Sequence, residues 1–142
     1  MPFLTLQPPG WARPLGYANG VAAKGTLVFV AGQVGWNADK QFESSDFVAQ
    51  AEQALLNVVA VLRQACASPE HIVRMTWYVV DKDEYNARQK DLGAAYRKVI
   101  GRHYPAMSCV QVAGLIEAGA KLEIEATAVV PDEVISPAQP AG

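Results

Sequence analysis

Apolar residues recur at helical spacing in one long segment of the chain. Between Asp46 and Cys66 most of the large apolar side chains lie three or four positions apart, and polar side chains fill the other positions. Residues three and four apart share one face of an α-helix, so this pattern predicts an amphipathic helix with one buried face. The predicted buried residues are Phe47, Ala51, Leu55, Val58, Val59 and Leu62.

Shorter apolar runs predict strands. Tyr17–Ala23 and Thr26–Ala31 flank Lys24 and Gly25, a short glycine-bearing connection that is typical of a hairpin. We therefore predict that these two runs pair in antiparallel fashion. Two further strands are predicted at Ser108–Ala113 and Ala120–Val130.

The run Ile72–Val80 is rich in β-branched and aromatic residues, which favours a strand. Alternation assigns Val73, Met75, Trp77 and Val79 to one face and Ile72, Arg74, Thr76, Tyr78 and Val80 to the other. Both faces carry large apolar groups. Since helices can cover only one of them, we expect the other face to meet a neighbouring subunit.

Proline, glycine and capping residues delimit the remaining elements. Ser68-Pro69 predicts a single helical turn, and Asp83 is predicted to cap a second helix that ends near Ile100, before Gly101. The expected buried residues of that helix are Tyr85, Leu92, Ala95, Tyr96 and Val99. The order ββαβαββ predicts an α+β domain with two helices packed on one face of a mixed sheet.

Prolines concentrate at the two ends of the 142-residue chain, which is about half apolar. This length and composition suit one compact domain. We therefore expect an irregular N-terminal segment over residues 1–13, a single domain over 14–131 and a flexible C-terminal tail over 132–142.

Charge and composition exclude several classes of function. The net charge of -2 provides no basic surface for neutralising phosphates, so nucleic acid is not expected as a partner. Two cysteines, Cys66 and Cys109, are too few for a disulfide framework or a zinc site. His71 and His103 share no metal-ligand spacing, so neither a metal nor another cofactor is expected. The start of the chain has no secretory pattern and no apolar run could span a bilayer, which predicts a soluble cytoplasmic protein without a membrane partner.

Six blocks of the chain together match one known family. The blocks are Gly16–Val21, Leu27–Gln33, Gln53–Val58, Val73–Asp81, Tyr104–Val112 and Lys121–Ala126. In this order they resemble the Rid family of imine and enamine deaminases, whose members are also labelled L-PSP endoribonucleases. The resemblance implies a chorismate-mutase-like homotrimer that binds a small-molecule ligand in clefts between adjacent subunits.

The block that contains Met107 departs from the family signature Pro-Ala-Arg-Ser/Thr, because methionine stands at the arginine position. In the deaminating members that arginine is understood to clamp the substrate carboxylate with two charged hydrogen bonds, which a thioether cannot form. The chain therefore resembles a branch that lacks the clamp, acting on an imine or enamine other than the small 2-imino acids, such as an aromatic-catabolism intermediate. Arg13 and Arg102 are candidate replacement cations, and Trp36 is a candidate apolar wall or loop anchor.

Glu123 is the residue that the resemblance implies for holding or activating water. Glu123 and Glu125 are two positions apart in a predicted strand, so both carboxylates share one face. The alternative is that they are solvated, or that they pair with Lys121 or Arg74.

The resemblance implies five further residues at the cleft, in addition to Met107: Tyr17, Gly32, Gln33, Tyr96 and Cys109. Each has a structural alternative. The two tyrosines are equally consistent with half-buried packing, and Gly32 with a bulge in its strand. Cys109 has no neighbouring cation to lower its pKa and is equally consistent with a small buried apolar residue.

Three functions remain open on the sequence. The first is hydrolysis of an imine or enamine with water positioned by Glu123. The second is a non-catalytic protein that keeps the scaffold and binds a small metabolite. The third and weakest is an endoribonuclease, because no basic groove and no histidine pair is visible.

Overall fold

A computed structural model describes residues 3–132 of the protein. The predicted C-terminal tail lies outside the described residues from position 133 onward. The elements are β1 (Phe3–Leu6), β2 (Gly20–Ala23), β3 (Thr26–Val34), α1 (Phe47–Arg63), a 3₁₀ helix (Pro69–His71), β4 (Ile72–Val79), α2 (Lys82–Ala87), α3 (Gln89–Val99), β5 (Ala106–Gln111) and β6 (Leu122–Val130). Within the described part, every helix is too short or too polar to cross a bilayer.

The main sheet has four strands in the order β3-β6-β4-β5. β6 runs antiparallel to both of its neighbours, and β4 and β5 are parallel. α1 packs against β3 and β6, and α3 packs beside α1. The predicted α+β class, with two main helices and a mixed sheet, is therefore confirmed.

α1 buries the face that its apolar spacing predicts. The six predicted residues of this helix are all buried, and Leu55, Val58 and Leu62 are completely so. The helix begins after Asp46, whose side chain accepts a hydrogen bond from the backbone N–H of Ala49 at 2.9 Å. Arg88 also bonds this carboxylate, at 3.1 Å, and ties the start of α1 to the second helical region.

Replacement of Asp46 by alanine is expected to lower the free energy of unfolding by about 1 kcal/mol at neutral pH, because the helix loses its N-cap. The hydrogen bond from Ala49, followed by that from Arg88, lowers the pKa of Asp46 below its ordinary value of 3.8. A depressed folded-state pKa means that this stabilisation is present above pH 3.8 and disappears as the pH falls further. Thermal unfolding of both proteins at neutral and acidic pH measures the difference, with Asp39→Ala as a control in the preceding loop. A gap that persisted at low pH would contradict the charge contribution.

The predicted hairpin between the first two apolar runs is wrong. β2 pairs with β1 in a separate two-stranded sheet, whereas β3 pairs with β6. Gly25 has φ +151°, outside the values of tight hairpin turns, and its Cα passes so close to β6 that an added Cβ would lie 2.2 Å from the Val130 carbonyl oxygen. Residues 3–6 are thus a strand within the segment that was expected to be irregular.

The second helical region is divided, which differs from the single predicted helix. Asp81, rather than Asp83, caps α2 through its bonds from the backbone N–H groups of Asp83 and Glu84. Helical geometry breaks at Arg88 (φ -106°, ψ 21°) and resumes as α3. Leu92, Ala95 and Tyr96 are buried as predicted, while Tyr85 and Val99 are partly buried.

The two faces of β4 follow the predicted alternation from Arg74 onward. Met75, Trp77 and Val79 are buried on the helix side. Ile72 is also fully buried, and Val73 only partly, because the register with β6 shifts between Ile72 and Arg74. A bulge of this kind moves the preceding side chains to the opposite face.

Candidate functional site

A cavity of about 560 Å³ opens on the helix side of the sheet, where β5 forms the edge. This volume lies within the usual range of small-molecule sites, about 300–1,000 Å³. Three parts of the chain enclose it: α2 and α3, the strands β4 and β5, and the segment that precedes β2.

α3 supplies one wall through a single helical stripe. The lining positions are Gln89, Leu92, Gly93, Tyr96 and Arg97. Their spacing of three and four places them on one face of the helix. Leu92 and Tyr96 are anchored in the core, while Arg97 is exposed at the cavity.

The floor comes from two parallel strands. The register pairs Met75 with Met107 and Trp77 with Cys109, so Met107 and Cys109 project to the helix side together with the buried Trp77. Met107 is partly buried against the core. The predicted site residues Met107 and Cys109 therefore lie in the same cavity.

Tyr17 reaches the rim of this cavity because the segment before β2 crosses to β5. The backbone N–H of Ala18 donates to the Pro105 carbonyl at 2.9 Å, and Ala18 forms an isolated parallel bridge with Ala106. Ala18 is buried, while Tyr17 remains exposed and lines the cavity. A contact of this kind, between residues far apart in sequence, requires the folded sheet edge.

Tyr96, a predicted site residue, lines the cavity and is held by two contacts. Its ring stacks on Tyr104, with centroids 5.5 Å apart, and its hydroxyl donates to the His103 carbonyl at 2.6 Å. Burial, with a smaller contribution from Tyr104, raises the pKa of Tyr96 far above its ordinary range. This phenol therefore stays neutral at physiological pH and acts as a packing and hydrogen-bonding group.

Cys109 and Tyr85 interact across the cavity. Cys109 is exposed on β5 and is not the small buried residue of the alternative interpretation. Partial desolvation in the cavity raises the pKa of its thiol, and a hydrogen bond with Tyr85 offsets part of that effect. The pKa of Tyr85 is also raised, by burial first and by Cys109 second. Since the thiolate is the nucleophilic form, this arrangement favours a cleft-lining Cys109 over a nucleophile.

The cavity is not lined by the other predicted site residues, Glu123, Gly32 and Gln33. β6 pairs Glu123 with Tyr78, so its side chain projects from the sheet face opposite to Met107 and Cys109. A Cβ added at Gly32 would lie 2.3 Å from Oε2 of Glu123, which shows that the carboxylate rests on the glycine. The register of β3 shifts between Val30 and Gln33, as the bulge alternative for Gly32 anticipated. A single chain thus separates these predicted site residues into two groups.

The same open face carries the second carboxylate. Glu125 accepts a hydrogen bond from the Tyr78 hydroxyl, which raises the pKa of Tyr78. Arg74 and Glu125 line a shallow depression with the exposed Phe29. Among residues 3–132, no ion pair joins Glu123 or Glu125 to Lys121 or Arg74.

Three further candidates do not reach the cavity. Trp36 packs on Phe42, with ring centroids 5.7 Å apart, and so anchors a loop. Arg13 lines a neighbouring depression on the N-terminal segment, and Arg102 does not line the cavity. The cation that does line it is Arg97, which the sequence reasoning missed, although its place on the stripe of α3 could have indicated it. Over residues 3–132, no group of three or more metal-ligating side chains is assembled.

Comparison with known proteins identifies the fold. The profile of the Endoribonuclease L-PSP family matches residues 12–130. The crystal structure of YyfB from Yersinia pestis, described as a conserved Rid family protein, superposes with a TM-score of 0.81 at 31% identity, covering 92% of this chain and 100% of that chain. The chain belongs to the Rid family. The membership predicted from the six sequence blocks is confirmed, while the assignment to a branch without the arginine stays a prediction.

Two curated Rid relatives show how far the similarity extends. A RutC family protein of Sinorhizobium fredii is 35% identical over 126 residues, which cover 88% of this chain and 94% of that protein. A 2-iminobutanoate/2-iminopropanoate deaminase of Escherichia coli is 34% identical over 116 residues, covering 80% of this chain and 86% of the relative. Relatives of this Rid protein therefore include one named for deamination of small 2-imino acids.

Proposed function

We propose that this Rid protein hydrolyses an imine or enamine metabolite with a large apolar part, rather than the smallest 2-imino acids. The observation that carries the proposal is the Met107 side chain, which lies on the floor of the cavity together with Trp77 and Cys109. A thioether offers a polarizable apolar surface and no charged hydrogen bond. The body of the ligand therefore packs against this floor.

The reaction requires water to add across the C=N bond. The water oxygen bonds to the imine carbon, the π electron pair moves to nitrogen, and nitrogen takes a proton. The carbinolamine then loses ammonia as the carbonyl forms. Such bonds hydrolyse readily, so positioning of water and substrate supplies much of the acceleration. An enamine enters the same route after protonation of its carbon.

Glu123 is the proposed group for holding that water, and it requires a second subunit. Within one chain its carboxylate and the cavity lie on opposite faces of the sheet. The open face also exposes the apolar side chains Leu27, Phe29 and Val110. Covering such a face by another copy of the chain is the expected solution. We therefore propose the homotrimer of the family, in which the open face of one subunit brings Glu123 to the cavity of the next.

Replacement of Met107 by arginine is expected to raise hydrolysis of the 2-imino acid derived from alanine by about ten- to a hundredfold, because a charged hydrogen bond to the carboxylate is restored. The imine is generated in place by an amino acid oxidase, and semicarbazide-trapped imine is compared with released pyruvate. Met107→Gln is the matched control, with similar length and no charge. Equal rates for wild type and Met107→Arg on this substrate would contradict the proposed effect of Met107.

A second candidate function is binding of a metabolite without chemistry. It is favoured by one observation: the cavity of the described chain contains no carboxylate and no histidine to act as a general base. Under this alternative, Glu123→Gln leaves ligand affinity unchanged and no protein preparation releases ammonia from any imine.

The endoribonuclease function gains no support from the site. His103 points its Nε2 at the Ile72 carbonyl, 2.7 Å away, and His71 bonds the backbone N–H of Ser68 through Nδ1. Neither histidine lines the cavity. The paired acid and base that RNA cleavage requires are therefore not assembled there.

A further inference from the structure

Arg97 is the one charged side chain among the described residues that line the cavity. The remaining lining residues are apolar, aromatic, small or neutral polar, and none is acidic. A cavity with a single cation and an apolar floor is complementary to an anion whose remaining body is apolar.

Within residues 3–132, the guanidinium of Arg97 has no ion-pair or hydrogen-bond partner. None of the ion pairs among residues 3–132 involves it, and it makes no side-chain hydrogen bond within that range. Its chain neighbour Lys98 bonds Glu52 of α1 at 2.9 Å. The basic last turn of α3 thus divides into one residue with a structural ion pair and one residue at the cavity.

Gly93 makes room for Arg97 on the lining stripe. It lies one helical turn earlier, and a Cβ at this position would lie 3.1 Å from Nη1 of Arg97. The guanidinium therefore lies over the glycine. Glycine in a helix interior costs up to about 1 kcal/mol relative to alanine, so this position does not serve helix stability.

We infer that Arg97 anchors the anionic group of the ligand, and that the ligand is a carboxylate with an aromatic or branched apolar body directed at Met107 and Trp77. The residue that binds the anion then lies on α3, whereas the family signature would place it at position 107 on β5. The identity of the acid as an imine or enamine rests on the proposed function, whereas its binding does not.

The test is a calorimetric titration with two probes of equal shape, 3-phenylpropanoate and its neutral amide. Wild type is expected to bind the acid about ten- to a hundredfold more tightly than the amide. Arg97→Gln is expected to lower the affinity for the acid by the same factor and to leave the affinity for the amide unchanged. Arg102→Gln, a neighbouring exposed arginine outside the cavity, is the matched control and should behave as wild type.

A second variant separates the charge from its position. Gly93→Ala keeps Arg97 but places a Cβ 3.1 Å from its Nη1, so the guanidinium must shift slightly. The affinity for the acid is expected to fall by less than in Arg97→Gln, while thermal unfolding shows an equal or more stable fold. Arg97→Lys is expected to bind the acid with intermediate affinity. The inference is overturned if the two probes bind wild type equally, if neither binds, or if Arg97→Gln binds the acid as tightly as wild type.

Failure of this inference and failure of the proposed function give different results. If the acid binds in an Arg97-dependent way but wild type does not hydrolyse the imine derived from phenylalanine, anion binding by Arg97 is supported and the hydrolase proposal is contradicted. If that imine is hydrolysed and Arg97→Gln leaves its KM unchanged, the hydrolase proposal is supported and anion binding by Arg97 is contradicted.

Discussion

Glu123→Gln is expected to lower the rate of imine hydrolysis by about two to four orders of magnitude, the usual contribution of a general base. Glutamine keeps the size of the side chain and its rest on Gly32, but it cannot accept a proton from water. The measurement is release of keto acid and ammonia from the imine of phenylalanine, together with the affinity for 3-phenylpropanoate, which should be unchanged. Glu125→Gln is the matched control, because Glu125 shares the strand and the face but is bonded to Tyr78.

Mixing Glu123→Gln with a second variant tests whether the site is shared between subunits. The second variant, Cys109→Phe, fills the cavity, and each variant should be inactive by itself. In randomly mixed trimers, about one quarter of the clefts would combine an intact cavity with an intact Glu123 from a neighbour, and activity should return to that extent. Mixed oligomers that stay inactive would contradict a shared cleft. Full activity of the Glu123→Gln protein would remove Glu123 from the mechanism altogether.

Gln50→Leu is expected to lower the free energy of unfolding by about 2–4 kcal/mol, because a buried amide that joins three backbone groups is lost. Gln50 is only 1% exposed. Its Nε2 donates to the carbonyls of Ser44 and Gly119, both at 3.0 Å, and its Oε1 accepts from the backbone N–H of Lys121 at 2.9 Å. Leucine fits the volume but leaves these groups without their partner. Denaturant unfolding measures the difference.

The comparison variant is Gln64→Leu at the exposed end of α1, where the change should stay within about 0.5 kcal/mol. Gln50 holds the loops before α1 and before β6, so its loss should also loosen the start of the strand that carries Glu123. Faster hydrogen exchange at residues 119–123 would show this. A Gln50→Leu protein as stable as wild type would mean that water replaces the amide at all three groups.

The helices were predictable because their signals are local. Apolar spacing located α1, and Asp46, the residue before it, is its cap. The division at Arg88 was missed. The cap was also assigned to the wrong residue, since Asp81 and Asp83 are both acceptable caps and the choice depends on how the chain leaves β4. The sheet class followed from element order, but the partner of β2 did not. A short strand such as Gly20–Ala23 has no side-chain pattern strong enough to specify its neighbour.

The site was predictable in part, because the family resemblance rests on short motifs in the sequence. Tyr17, Tyr96, Met107 and Cys109 were proposed from resemblance and meet in one cavity. Arg97 was missed because an exposed arginine in a helix is usually solvated, and its role depends on Gly93 and on the strand edge opposite.

The sequence by itself determined the α+β class, the buried face of α1, the alternation of β4 from Arg74 onward, the family and the absence of an arginine at position 107, since periodicity and motif are properties of neighbouring residues. The tertiary structure decided that β1 pairs with β2, that Tyr17 reaches β5, and that Glu123 lies on the opposite face from Met107. It also decided that Arg97 is the charge at the cavity. These relations are contacts and orientations of residues far apart in the chain. They depend on strand pairing and on the packing of α3, which local sequence patterns do not specify.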